Sequence, residues 1–316
     1  MVINFENLAF EWLEEKKESI KESSVGVYFH RINSQLIPYF KDHKSIKNND
    51  VQDFILKQTE KGLSKRSIRD NLIVLDCLLK FGTSKGMDMD FDINVLMPTI
   101  LNSRTKEFDL KAFSLVETRK LRKYLVENLS EDIANLAIAI ALSSGLRIGE
   151  VTGLKYGDFD FENEMISISR TAQRMVVVDE NFKSKGTKII VGTPKTKSSQ
   201  RTVPVQKEIL KYVSILNEFH KPDDFIFMGK YSKQPMDNRL LRDKYMTILK
   251  NLNLPQISFH GLRHSFASNC IASGVDVKTT SAMLGHSDIK MTLDIYTHPS
   301  FEQKKAAVNK LGKLFS

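Results

Sequence analysis

Ser258-Phe-His260-Gly-Leu-Arg263-His264-Ser-Phe-Ala267, then Met283-Leu-Gly-His286-Ser287, then Leu293-Asp-Ile-Tyr296-Thr-His298-Pro299 set imidazoles, a guanidinium and a phenol at intervals through an otherwise apolar, helix-forming stretch. Buried His, Arg and Tyr each need hydrogen-bond partners, so these residues cannot all be core. Something polar must sit among them. A planar Arg fork, imidazoles and a phenol together suit a phosphodiester: the fork clamps anionic oxygens, the imidazoles donate or shuttle protons, and the phenolate attacks.

The rest of the chain frames that reading. Its 316 residues, 41% of them hydrophobic, are enough for two domains with proper cores. A formal net charge of +9 points to a polyanionic partner, against the plainer alternative of a lysine-rich solvated surface. Cys77 and Cys270 are far apart and each lies in an apolar helical context. They read as core thiols of a reducing cytoplasm rather than as a disulfide or a zinc site. The N-terminal stretch has no basic segment ahead of an apolar one, and no run approaches membrane-spanning length. The expectation is a soluble cytoplasmic protein without a membrane partner.

The first hundred residues read as all-helical. Phe5, Leu8, Phe10, Trp12 and Leu13 give one apolar face, and Val27, Phe29, Ile32, Leu36 and Phe40 a second, with Pro38 near its end as a breaker. A third helix is expected from Asn49 or Asp50 as cap through Val51, Phe54, Ile55 and Leu56, ending before Gly62. The fourth, Ser64 to Phe81, joins the apolar set Ile68, Leu72, Leu75, Leu78 and Leu79 to a basic start of Lys65, Arg66 and Arg69. Positive charge there opposes the helix dipole, which mildly favours a function such as contact with a DNA groove over a merely solvated helix end.

The helical domain is taken as residues 1–98 and a linker as 99–112, because Pro98 punctuates the preceding segment and Ser114-Leu-Val-Glu117 reads as a capping box. A second domain, 113–300, follows. Its helix from about Glu131 to Ser144 is apolar almost all round, and Gly145 ends it before Leu146-Arg147-Ile148-Gly149-Glu150 opens the next. After Gly157-Asp158-Phe159 the pattern alternates, giving short strands at Met165–Arg170, Met175–Val178, Thr187–Val191 and Arg201–Val205. A polar turn with Pro194-Lys195-Thr196-Lys197 lies between the last two, helices resume from Gln206, and Asp223–Met228 is a brief extended piece. The fold class expected is mainly α with a small antiparallel β-sheet, an α+β second domain behind a helical first one. The tail 301–316 reads as a short amphipathic helix.

With these motifs in order, the chain resembles the tyrosine recombinases, the phage integrase family. The resemblance rests on Ser144-Gly-Leu-Arg147-Ile-Gly-Glu150, Thr193-Pro-Lys195-Thr-Lys197 with Arg201-Thr-Val-Pro204, His260-Gly-Leu-Arg263-His264, Leu284-Gly-His286, and Tyr296 ten residues later. It covers about residues 114–300 by motif, while the first hundred match in size and helical character. Gly261 stands where many members carry Asp, and Tyr156 where Trp is frequent. The long hairpin from Arg170 to Val205 is more like integrases of mobile elements than compact dimer resolvases, although the chain starts directly with the helical domain.

The resemblance implies a site-specific recombinase acting through a 3′-phosphotyrosyl DNA intermediate, with a helical core-binding domain and no cofactor. Tyr296 is then the nucleophile, Arg147 and Arg263 hold the non-bridging oxygens, Lys195 is the general acid with Lys197 as its rival, and His260 and His286 assist proton transfer. Glu150 supports a neighbouring basic group. Lys65, Arg66, Arg69 and Lys197 would meet DNA. The partners implied are double-stranded DNA, a homo-tetramer in synapsis with the tail docked on a neighbouring protomer, and an accessory directionality or DNA-bending factor. His264 follows His260 at metal-pair spacing, but Gly261 sits where a metalloprotease has Glu, which argues against a metal site. Two rival functions are a non-catalytic DNA-binding regulator and a type IB topoisomerase.

Overall fold

The structure, a computed structural model, describes residues 4–43, 45–86, 112–179, 182–194, 197–229 and 233–293. By its packing the chain forms two compact units, residues 1–107 with 175–188, and residues 108–174 with 189–316. The expected linker, apart from Ala112, and the expected tail helix lie outside the described residues.

In the first unit, α1 (Phe5–Lys17) starts where the Asn4 side chain accepts the Asn7 N–H at 3.0 Å. It buries Phe5, Leu8, Ala9, Trp12 and Leu13, while Phe10 is half-buried and stacks on Phe182 at 5.0 Å. α2 (Glu22–Arg31) runs through a π-helical turn (Ile32–Leu36) into α3 (Ile37–Phe40). Pro38 therefore sits inside the helical run: it has no N–H to donate, and the wide turn before it tolerates that loss. Val27, expected on the apolar face, is 51% exposed.

α4 (Asn48–Glu60) begins one to two residues earlier than the expected cap. Asp50 is its third residue and accepts the Lys47 N–H at 2.8 Å, so a carboxylate expected to cap the helix reaches back from inside it. α5 (Lys65–Ser84) is capped by the Ser64 hydroxyl and buries Ile68, Leu72, Leu75, Leu78 and Leu79. Arg31 fixes its first turns, donating to Asn71 Oδ1 at 2.7 Å and Asp70 Oδ2 at 2.9 Å.

In the second unit, Ser114 and Glu117 form the expected reciprocal cap of α6 (Leu115–Glu127), with the Ser114 N–H donating to Glu117 Oε2 at 2.7 Å. α7 (Ile133–Ser144) is buried on nearly every side and packs against α6 and three later helices, α9 (Lys207–Asn217), α10 (Asn238–Asn251) and α11 (Phe259–Ala272). Each fully buried Leu or Ile there contributes about 1.5–3 kcal/mol of transfer free energy. Leu136, Ile138, Ile140, Leu241, Tyr245 and Leu262 belong to this single core.

Short α8 (Ile148–Thr152) follows, then the strands β1 (Phe159–Asp160), β2 (Met165–Ile168), β3 (Thr171–Val178), β4 (Ser184–Gly192) and β5 (Arg201–Pro204). They make two sheets instead of one. β1-β2-β5 is three-stranded and antiparallel, with Ile166 opposite Val203 and Ile168 opposite Arg201, whereas β3 and β4 pair with each other. Ile166, Ile168 and Val203 face the core while Ser167 and Thr202 point out, the alternation visible in the sequence. β1 escaped that reading because two residues carry no period. α12 (Val277–Leu284) and α13 (Lys290–Leu293) complete the described chain. Among the described residues no helix is long and apolar enough to cross a membrane.

Candidate active site

The site is assembled at helix ends. α7 stops at Gly145, whose φ of 64° is left-handed and where a Cβ would lie 2.5 Å from the Phe266 ring. Only glycine fits both demands. The turn delivers Arg147 to the start of α8, one turn from Glu150. Glu150 is 3% exposed and accepts the Arg147 N–H at 2.9 Å, Arg147 Nη1 at 2.8 Å, Arg201 Nη1 at 3.2 Å and Arg201 Nη2 at 3.0 Å. Burial alone would raise its pKa. Hydrogen bonds and charge from Arg201, then those from Arg147, outweigh that and hold the carboxyl below its ordinary value.

Arg263, on α11, is 1% exposed. Its Nη1 donates to Gly145 O at 2.9 Å and its Nη2 to Leu284 O at 2.7 Å, so one guanidinium ties together the C-terminal ends of α7 and α12. Those ends carry the negative pole of each helix, which favours a cation there. Burial and the charge of Arg147 lower the Arg263 pKa, Glu150 opposes them, and the group stays cationic at neutral pH. A guanidinium has five N–H donors, so two carbonyls leave others for an incoming anion.

His260 lies one turn before Arg263 on the same helix, and His286 follows Gly285, where α12 ends at a φ of 67°. His286 Nδ1 is 2.8 Å from the hydroxyl of Thr292, itself fully buried. Burial, then the charges of Arg263 and Arg147, lower the His286 pKa to about 4. His260, although much of its surface is open to solvent, is also lowered, first by desolvation and then by His264, Arg263 and Arg147. Both imidazoles are thus neutral at pH 7, each able to donate one proton and accept another. The His264 ring stands perpendicular to His260 at 4.7 Å. Among the described residues no group of three or more His, Cys, Asp or Glu is placed to hold a metal ion.

A cavity of about 280 Å³ opens beside this cluster, lined among others by Arg147, Thr171, Gln173, Pro194, Gly285 and Ser287. The structure therefore brings together Arg147, Glu150, His260, Arg263 and His286. Tyr296 and Lys195 lie outside the described residues, and Lys197 opens a 3-10 turn (Lys197–Ser199). Lys65, Arg66 and Arg69 are exposed at the start of α5 in the other unit. Two residues were given no role from sequence. Arg201 looked like an ordinary charged strand start, and the one available signal was its place in Arg201-Thr-Val-Pro. Thr292 carried no signal at all, because its contact to His286 depends on how α13 turns back.

Two arginines and two imidazoles meet at the helix ends of this α+β unit, and Arg147 and Glu150 reach the cavity beside them. Residues 117–303 match the phage integrase family, and residues 4–57 match the phage integrase N-terminal SAM-like domain. A tyrosine recombinase XerC-like protein of Caldanaerobacter subterraneus subsp. tengcongensis is 30% identical over 289 residues, which span 85% of this chain and 72% of that one. The transposase of transposon Tn916 from Enterococcus faecalis is 28% identical over 293 residues, 85% of this chain and 67% of that one. The solved structure of the Tn1549 transposon integrase in complex with transposon right-end DNA superposes with a TM-score of 0.71 at 22% identity, covering 98% of this chain and 100% of that one. The chain belongs to the phage integrase family, the tyrosine recombinases, and its reaction class is site-specific DNA cleavage and rejoining.

Proposed function

We propose that this chain exchanges DNA strands with Tyr296 as nucleophile. The phenolate attacks the scissile phosphorus, the bond to the 5′-oxygen breaks, and a 3′-phosphotyrosyl link and a free 5′-hydroxyl result. The ester's energy is kept, so rejoining needs no external energy source. Arg147 and Arg263 hold the non-bridging oxygens as charge develops on them. Lys195, with Lys197 as the alternative, protonates the leaving oxygen. His260 and His286, neutral before DNA arrives, donate to the phosphate and relay the phenol proton. The observation that supports this reading is that Arg147, Arg263 and the two imidazoles lie near enough to shift one another's pKa, with Arg147 and the neighbours of His286, Gly285 and Ser287, lining the adjoining cavity.

In the same reading residues 1–98 form the core-binding domain and 113–300 the catalytic one, joined by 99–112. Lys65, Arg66, Arg69 and Lys197 meet DNA phosphates, giving affinity that falls with salt. Exchange between two duplexes requires four strand cleavages, hence four protomers with one nucleophile each, with residues 301–316 docking on a neighbour. An accessory directionality or DNA-bending factor fits the same scheme.

The test is incubation of wild type and Tyr296→Phe with nicked DNA whose cleaved end diffuses away, followed by a denaturing gel. A covalent adduct in wild type and none in the variant is expected. An adduct that survives Tyr296→Phe overturns the assignment of the nucleophile.

A further inference from the structure

Arg201 is the least expected member of the site. Its side chain is 6% exposed, although it sits at the start of the edge strand β5. Every nitrogen of its guanidinium is engaged, and the partners come from three separate pieces of chain. Nη1 and Nη2 donate to the two oxygens of Glu150, the carboxylate that also holds Arg147. Nε donates to Met283 O at 2.6 Å, in the last turn of α12 just before His286. Nη1 also donates to Ser199 O at 3.1 Å, in the turn that follows Lys195.

The packing is equally close. A Cβ at Gly285 would stand 2.9 Å from Arg201 Cδ and 2.7 Å from Ser198 O, so the backbone before His286 lies directly on this side chain and on that turn. A lysine could supply the charge at this place but not the fork, since one ammonium cannot span a carboxylate edge and two carbonyls in fixed directions.

We propose that Arg201 is a positioning residue for strand cleavage: its guanidinium clamps together the Arg147–Glu150 pair, the α12 end bearing His286 and the turn after Lys195, so that the phosphate's ligands are assembled before DNA binds. The inference rests on the roles proposed above for those residues. Arg201 touches no DNA in this scheme. It acts through Arg147 and His286, and its loss slows the chemical step while binding persists.

The experiment compares wild type with Arg201→Met, Arg201→Lys and the double variant Arg201→Met/Glu150→Gln, which removes both charges of the buried Arg201–Glu150 pair and guards against simple unfolding. For each, single-turnover adduct formation on nicked site DNA is measured beside the affinity for the uncleaved site, the latter in a Tyr296→Phe background. Site affinity within about threefold of wild type and cleavage slowed about 100-fold are expected for both Arg201→Met and Arg201→Lys, the scale of an ångström-sized misplacement. In an Arg147→Lys/His286→Asn background, Arg201→Met is expected to cost less than tenfold more, because both groups it positions are already gone.

Cleavage by Arg201→Lys within about threefold of wild type, or equal losses of site affinity and cleavage in all three variants, overturns the proposal. So does a full 100-fold effect in the Arg147→Lys/His286→Asn background. Each of these outcomes leaves the nucleophile assignment standing. That assignment fails separately, if Tyr296→Phe still forms the adduct.

Discussion

Replacing Glu150 by Gln keeps the shape of the side chain and removes its charge at the point where Arg147 and Arg201 meet. Glu150 is 3% exposed and the Arg201 side chain 6% exposed, so the change strands a buried guanidinium. Removing one partner of a buried ion pair costs about 3–5 kcal/mol. Arg201 keeps its bonds to Met283 O and Ser199 O, and the amide still offers one acceptor oxygen, which places the loss near about 3 kcal/mol. For a domain of this size each kcal/mol lowers Tm by about 2–4 °C, so a fall of about 6–12 °C is expected at pH 7.

Thermal unfolding followed by circular dichroism measures the fall, and the double variant Arg201→Met/Glu150→Gln supplies the control. With neither charge left to bury, it is expected to melt above Glu150→Gln alone. A Glu150→Gln protein melting within about a degree of wild type, or a double variant whose loss is the sum of the singles, would refute the reasoning.

The sign of the pH dependence follows from the same carboxylate. Its folded pKa lies below its ordinary 4.5, so its contribution is complete above that value and is lost as pH falls through the folded value.

Further outcomes are expected from other parts of the site. Gly285→Ala meets both a left-handed φ of 67° and a contact of 2.7 Å to Ser198 O, so it should lower stability by more than about 1 kcal/mol and abolish adduct formation, checked by melting and by gel. Thr292→Val removes the hydroxyl beside His286 Nδ1 at nearly constant volume, and a cleavage rate about tenfold lower, roughly 1.4 kcal/mol, is expected with little change in Tm. His286, with a folded pKa of about 4 against an ordinary 6.5, stays neutral while the unfolded chain takes up a proton. Its effect is a loss of stability as pH falls from 6.5 to about 4, and denaturant titrations of wild type and His286→Asn across that window should show a shallower slope for the variant. Changing Lys65, Arg66 and Arg69 together to Gln should reduce the slope of log affinity against log salt by close to one unit for each phosphate that these side chains neutralise; an unchanged slope would remove α5 from the DNA interface.

Sequence by itself determined the layers and the class. The apolar periodicity of α1 and α5 gave their inward faces, the all-round apolar run of α7 gave its burial, Ser64, Ser114 and Gly145 marked ends that the backbone obeys, and the ordered motifs named the family, because each signal lies within a few neighbouring residues. Local pattern failed where the backbone leaves its regular course. Pro38 passes inside a helix because a π turn absorbs the missing N–H, Asp50 reaches back from within α4, and β1 is too short to show alternation. Tertiary structure alone decided what Arg201 and Arg263 touch. Arg201 reaches Glu150 across 51 residues and Met283 across 82, and Arg263 reaches Gly145 across 118. Contacts over such separations depend on how helix ends converge around one core, and a buried guanidinium can reveal its partners only once those ends are in place.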